Sequence, residues 1–254
     1  MSKSARSIDD VIRELEFIVQ DCRDREDPSG YFAALYYRVT VRVKQGIEAG
    51  YFEDGPRMER LDVIFAQRYL EAYNAYQRQE KLRDSWKIAF TTADRYWPIV
   101  LQHLLLGINA HINLDLGIAA AQISRGTEIN ALKGDFDKIN ELLSAMVNEV
   151  EAELAAIWPT MGKLIKWLDG TENLIMDFSM QLARDGAWKF AGELSLLPIK
   201  LVPSKIAARD LKIQQLGQTI AVRKWYIRLL LNIIRLGERG SVRDKIDRLS
   251  ASPR

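Results

Sequence analysis

The chain has 254 residues, 48% hydrophobic and 28% charged, which is enough for one large core or two small domains. Its single cysteine, Cys22, excludes an intramolecular disulfide and a multi-cysteine zinc site. Residues 1–10 hold no apolar run of the secretory kind, and no stretch reaches the roughly 20 uncharged apolar residues of a bilayer span, so the expectation is a soluble, cytoplasmic protein.

In chain order, the apolar spacing predicts helices throughout. Ser7 caps a first helix whose Ile8, Val11, Ile12, Leu15, Ile18 and Val19 follow the i, i+3/i+4, i+7 rule. Asp27-Pro28-Ser29-Gly30 is a turn, a second helix covers about 31–48, and Pro56 suits the first turn of a third, about 56–81. A short helix at 83–92 precedes a long apolar one from Pro98 to Ile123. An amphipathic helix over 135–157 stops at Trp158-Pro159, and Thr171 caps a helix over about 172–194. After Pro198 and Pro203 a tail helix runs to about Arg235. No alternating strand pattern occurs. The expected fold is all-α: a single bundle of about seven to nine helices over 1–197, with a basic amphipathic helical extension over 198–254.

The most informative stretch is Asn109-Ala110-His111-Ile112-Asn113-Leu114-Asp115. It sets four polar side chains into a segment that is otherwise nearly all apolar, and buried polar groups are costly unless satisfied. Both histidines of the chain, His103 and His111, lie here. On a continuous helix His111 and Asp115 share one face, and Asn109 and Asn113 a nearly opposite one. A His-x-x-x-Asp pair can supply two ligands to a divalent metal, with His103 a weaker third. Alternatively the carboxylate orients the imidazole as a base or acid, or the pair is a structural hydrogen bond. Partners are expected from Glu59 and Asp62 on the third helix and from Asp177, Arg184 and Asp185 after Thr171. No glycine-rich phosphate loop, His-Glu-x-x-His, paired Glu-x-x-His or Gly-x-Ser-x-Gly motif is present.

The segments Met58–Ala66, Gly107–Leu116, Phe136–Leu143 and Ala183–Trp188 resemble, in the same order, a bacterial all-helical family of unknown function with an Asn-Ala-His-Ile-Asn-x-Asp-Leu signature. The resemblance covers about residues 8–195; Gly186 departs from it, and the basic tail lies outside it. It implies a polar cluster drawn from Asp62, His111, Asp115, Asn140 and Arg184, and no established reaction. Convergence of these residues would give a pocket for a small polar or metal-bound ligand, with His111 as base or ligand, Asp115 and Asp62 as orienting carboxylates, and Arg184 as anion clamp. Asn109, Asn113 and Asn140 would add hydrogen bonds to whatever is bound.

Charge is unevenly placed. Residues 198–254 carry thirteen Lys and Arg against four acids, a net +9, leaving twenty-three against thirty, a net −7, on residues 1–197. Lys224, Arg228, Asn232 and Arg235 form one narrow stripe opposite a broad apolar arc. That arc must dock on the core, on a second copy or a protein partner, or on an anionic membrane surface. Nucleic acid fits poorly, because the acidic core would repel phosphate. Two readings follow: a ligand-binding or enzyme-like domain centred on His111, and a non-catalytic module docking through residues 198–254. Access of His111 to a cavity, and the pairing of Arg184 with Asp115 or Asp62, separate them.

Overall fold

The computed structural model describes residues 5–158, 180–221 and 225–251, with some side chains of residues 140–152 outside the description. The helices are α1 (Ile8–Arg25), α2 (Gly30–Glu48), α3 (Gly55–Gln77), α4 (Asp84–Ala93), α5 (Val100–Ala110), a π-helical turn (His111–Leu116), α6 (Gly117–Ile123), α7 (Lys133–Ile157), α8 (Met180–Ser195), α9 (Val202–Ala221), α10 (Trp225–Gly237) and α11 (Val242–Ser250). No strand occurs among the described residues, and the fold is all-α. Among the described residues there are eleven α-helices, eight within residues 1–197 and three after it, where the expected tail helix is divided. The expected cap at Thr171 and the first turns of its helix lie outside the described residues.

Local chemistry sets the helix starts. Ser7 accepts from the Asp10 amide while the Asp10 carboxylate accepts from the Ser7 amide, a capping box that opens α1. Asp54 caps α3, with Pro56 in its first turn. That helix ends at Gln77, short of the expected 81, because Gln79 turns the chain with φ 58°.

The rod Val100–Ile123 passes through the middle of the protein. By length and composition it could cross a membrane, contrary to the sequence expectation, but 94% of its most apolar window is buried among the other helices. Two glycines let its neighbours close in. A Cβ at Gly107 would run into the Phe32 ring of α2, and one at Gly117 would stand 2.7 Å from the Ala187 carbonyl of α8. The first contact seats Phe32 at the centre of the core.

The segment after residue 197, expected as an appendage, is built into the body. Helix α9 packs on α4, α5 and the π turn, and α11 packs on α1 and α2. The Asp210 carboxylate of α9 accepts from the Asp84 and Ser85 amides and the Ser85 hydroxyl, at 2.9, 3.1 and 2.6 Å, capping α4 from another helix. The Gln102 amide donates to the Ile220 carbonyl at 2.9 Å. Glu238 accepts from the Val100 amide at the start of α5, from Arg235 and from buried Lys245, at 2.8, 2.9 and 3.0 Å. Arg235 and Lys245, two of the cations of this segment, are thus engaged within the fold.

Candidate functional site

The expected continuous helix is corrected at its most polar point: residues His111–Leu116 form a π-helical turn. Such widened turns inside α-helices recur at functional sites. Asn109 and Asn113 face one way, His111 and Asp115 another.

Asn109 and Asn113 bond within the fold. Asn109 donates to the Ile213 carbonyl of α9 at 2.9 Å, and Asn113 donates to the Asn109 side-chain oxygen at 3.0 Å. Arg209 of α9 donates to the Asn113 carbonyl at 3.2 Å. This face of the turn holds α9. The third asparagine assigned to the site, Asn140, has its side chain outside the described residues, as does Asp177.

Asp115 is buried and fully engaged. One oxygen accepts from Arg68 Nε at 2.8 Å, the other from Trp86 Nε1 at 2.8 Å and from His111 Nδ1 at 3.4 Å. Burial opposes its charge, but the hydrogen bond from His111 and the Arg68 guanidinium, with Trp86 adding, hold its carboxyl below the usual range. An ionised Asp115 only accepts, so Nδ1 of His111 carries the ring proton and Nε2 presents a lone pair. Burial keeps the His111 imidazole neutral, its pKa lowered despite Asp115. The ring lies flat on Phe65, centroids 3.6 Å apart, with the Tyr36 ring edge-on at 4.5 Å.

His111 lines a chamber of about 200 Å³. Its walls come from α2 (Phe32, Tyr36, Val39), α3 (Met58, Leu61, Asp62, Phe65), the α5–π segment (Ile108, His111, Ile112) and α7 (Leu143, Met146, Val150). Among the described residues the lining is apolar except at three. Tyr36 Oη, Asp62 Oδ2 and His111 Nε2 are all buried without a hydrogen-bond partner. Burial, reinforced by the nearby charge of Glu59, raises the Asp62 carboxyl to about 7.

The structure therefore brings together a subset of the expected residues. Asp62 and His111 share the chamber wall, and Asp115 stands behind His111. Arg184 does not line the chamber: it is buried on α8, against α6 and the π turn, and two of its nitrogens lack partners. The cation on Asp115 is Arg68 of α3, a residue outside the expected set. Arg68 lies three residues past Phe65 and six past Asp62, so extending the apolar stripe of α3 would have found it. His103 is also elsewhere. It packs edge-on against Tyr31, bonds to the Pro98 carbonyl, and is pushed down to about 3, chiefly by burial and by the charge of Arg235.

A divalent metal does not suit these donors. Both Asp115 oxygens are occupied, and the His111 nitrogen nearest them carries the proton. Among the described residues no group of three or more His, Cys, Asp or Glu stands close enough to hold an ion. Cys22 is buried against Ser29 and Tyr73, in a packing position.

Fold and site together define an all-α protein with an apolar chamber backed by a buried histidine–aspartate pair. The chain belongs to the family of unknown function DUF5995, whose sequence pattern matches residues 8–223. No curated protein and no solved structure matches it. The family match runs past the expected boundary at 197 and takes in α9, the helix gripped by Asn109.

Proposed function

We propose that the protein binds a small, largely apolar molecule in the chamber between α2, α3, the π turn and α7. The observation that carries this reading is the chamber itself: about 200 Å³ of space with an apolar lining and three unpartnered polar atoms on its wall residues. A cavity of about 150 Å³ lined by Leu, Ile and Phe stays dry and admits benzene, so this one has room for a ligand larger than a single ring. Leaving a buried polar group unpaired costs on the order of 1–3 kcal/mol, and a ligand that pairs even one recovers part of that. His111, fixed in one tautomer by Asp115, supplies an acceptor at a defined place.

Fluorescence of the neutral dye N-phenyl-1-naphthylamine, and its displacement by linear alkanols, tests the reading. Each buried methylene is worth about 0.8 kcal/mol, so affinity should rise roughly fourfold per carbon until the chamber is full. Leu143→Trp, which fills the chamber from α7, should abolish dye binding while the protein stays folded. Dye binding that survives the substitution would remove the reading.

A second reading rests on α10. Trp225, Tyr226, Leu229, Ile233 and Leu236 are all more than half exposed and share one face of that helix, while Leu231 and Ile234 face inward. This face supports a docking role, with a second copy or a protein partner as its occupant and an anionic membrane as the lesser alternative. Sedimentation velocity of the full chain beside Leu229→Glu/Ile233→Glu tests self-association. A monomer in both would remove that version.

A further inference from the structure

We propose that the ligand of the chamber is a lipophilic amine, its ammonium head seated on Asp62 under the aromatic rings of α2 and α3. The proposal rests on the chamber being a ligand site and names the class that its chemistry selects.

The wall is rich in acceptors and poor in donors. Among the described residues that line the chamber, Asp62 is the one carboxylic acid and none is lysine or arginine. The cations nearby are committed elsewhere: Arg68 to Asp115, and Arg38 and Arg42 to Glu149 at 2.7 and 3.2 Å. Asp62 has no such partner, and its Oδ2 is buried and unbonded. Glu59, three residues earlier on the same face of α3, adds negative potential instead of relieving it. His111 Nε2 adds an acceptor, and the Tyr36 hydroxyl adds a donor.

An ammonium carries three donors and no acceptor, which complements this wall. It would neutralise a carboxylate that the fold otherwise holds desolvated, where a buried charge without a partner is strongly unfavourable. The rings of Phe32, Tyr36 and Phe65 offer faces and edges around the same space, and a ring face attracts a cation. A carboxylate or phosphate head would meet Asp62 and Glu59 with no cation on the lining to hold it. An alcohol head fits but satisfies one acceptor only. The alkyl body lies along Leu61, Ile112 and Leu143.

The experiment compares octylamine, octanol and octanoate as displacers of N-phenyl-1-naphthylamine from the full chain at pH 7.5. Octylamine is expected to act at about one tenth the concentration of octanol, and octanoate to be weakest. In Asp62→Asn, the advantage of octylamine over octanol is expected to disappear. The wild-type comparison stands without the variant: equal potency of amine and alcohol, or a lead for octanoate, overturns the amine assignment and leaves the chamber as an apolar site. An amine advantage that survives in Asp62→Asn overturns the role of that carboxylate. Failure of all three to displace a bound dye, or failure of the dye to bind, overturns the chamber reading and the assignment with it.

Discussion

At the scale of single residues, burial acts in opposite directions on the acids and bases of the core. His103 and His111 are held neutral, with His103 pushed down to about 3. An unfolded imidazole takes up a proton near pH 6.5, so the stability each histidine contributes is fully present above that pH and is lost as pH falls toward the folded value. Asp62 behaves oppositely. Its folded carboxyl is raised to about 7, from 3.8, so its contribution is present below about pH 4 and is lost as pH rises through 7. Two substitutions separate these effects in thermal melts across pH. His103→Phe should flatten the fall in Tm between pH 6.5 and 4. Asp62→Asn should flatten the fall between pH 5 and 8. A slope in Asp62→Asn equal to that of the wild type would mean that the Asp62 carboxyl titrates in the ordinary range.

At the scale of elements, the π turn divides one apolar rod into two jobs. One face binds α9 through Asn109 and Asn113; the other delivers His111 to the chamber and Asp115 to Arg68 and Trp86. The α6 segment that follows is pinned at Gly117 by the backbone of α8, which cannot yield as a side chain tip could. Gly117→Ala should therefore destabilise by about 1–3 kcal/mol, like other overpacked cores. Gly192→Ala, in the last turn of α8 with nothing within 4 Å of its Cβ, should instead be neutral or stabilise by about 0.5–1 kcal/mol, since alanine is the better helix former. Urea unfolding of the two variants side by side decides this. Equal effects would mean that helix propensity, not the close approach to Ala187, governs position 117.

At the scale of the whole molecule, the C-terminal helices complete the core. Removing residues 198–254 would strip α4 of its Asp210 cap and α5 of its Glu238 partner, and would leave Asn109 and Gln102 without their carbonyls. It would also expose the surface now covered by Ile206, Ile213 and Ile220. A chain ending at residue 197 is expected to lose its cooperative thermal transition, as followed by circular dichroism. A sharp melt near the full-length Tm would return this segment to the role of an appendage. Of the cations in residues 198–254, Arg235 and Lys245 both stand on Glu238 and serve the fold.

The amino-acid sequence by itself determined the helical class, most helix starts and the stretch that matters. Those features are written in local periods: Ser7 with Asp10, Asp54 with Pro56, and polar residues spaced inside an apolar run. Asp62, His111 and Asp115 stood out for the same reason, as groups that an apolar pattern must account for. Only the tertiary structure decided what each of them meets. Arg68 in place of Arg184, an apolar chamber in place of a polar pocket, and α9 as part of the core all depend on helices distant in sequence. A π turn is equally invisible to periodicity, because one added residue shifts the register only where neighbouring helices hold it. Spacing along the chain reports which side chains leave water together, and packing alone reports whose company they keep.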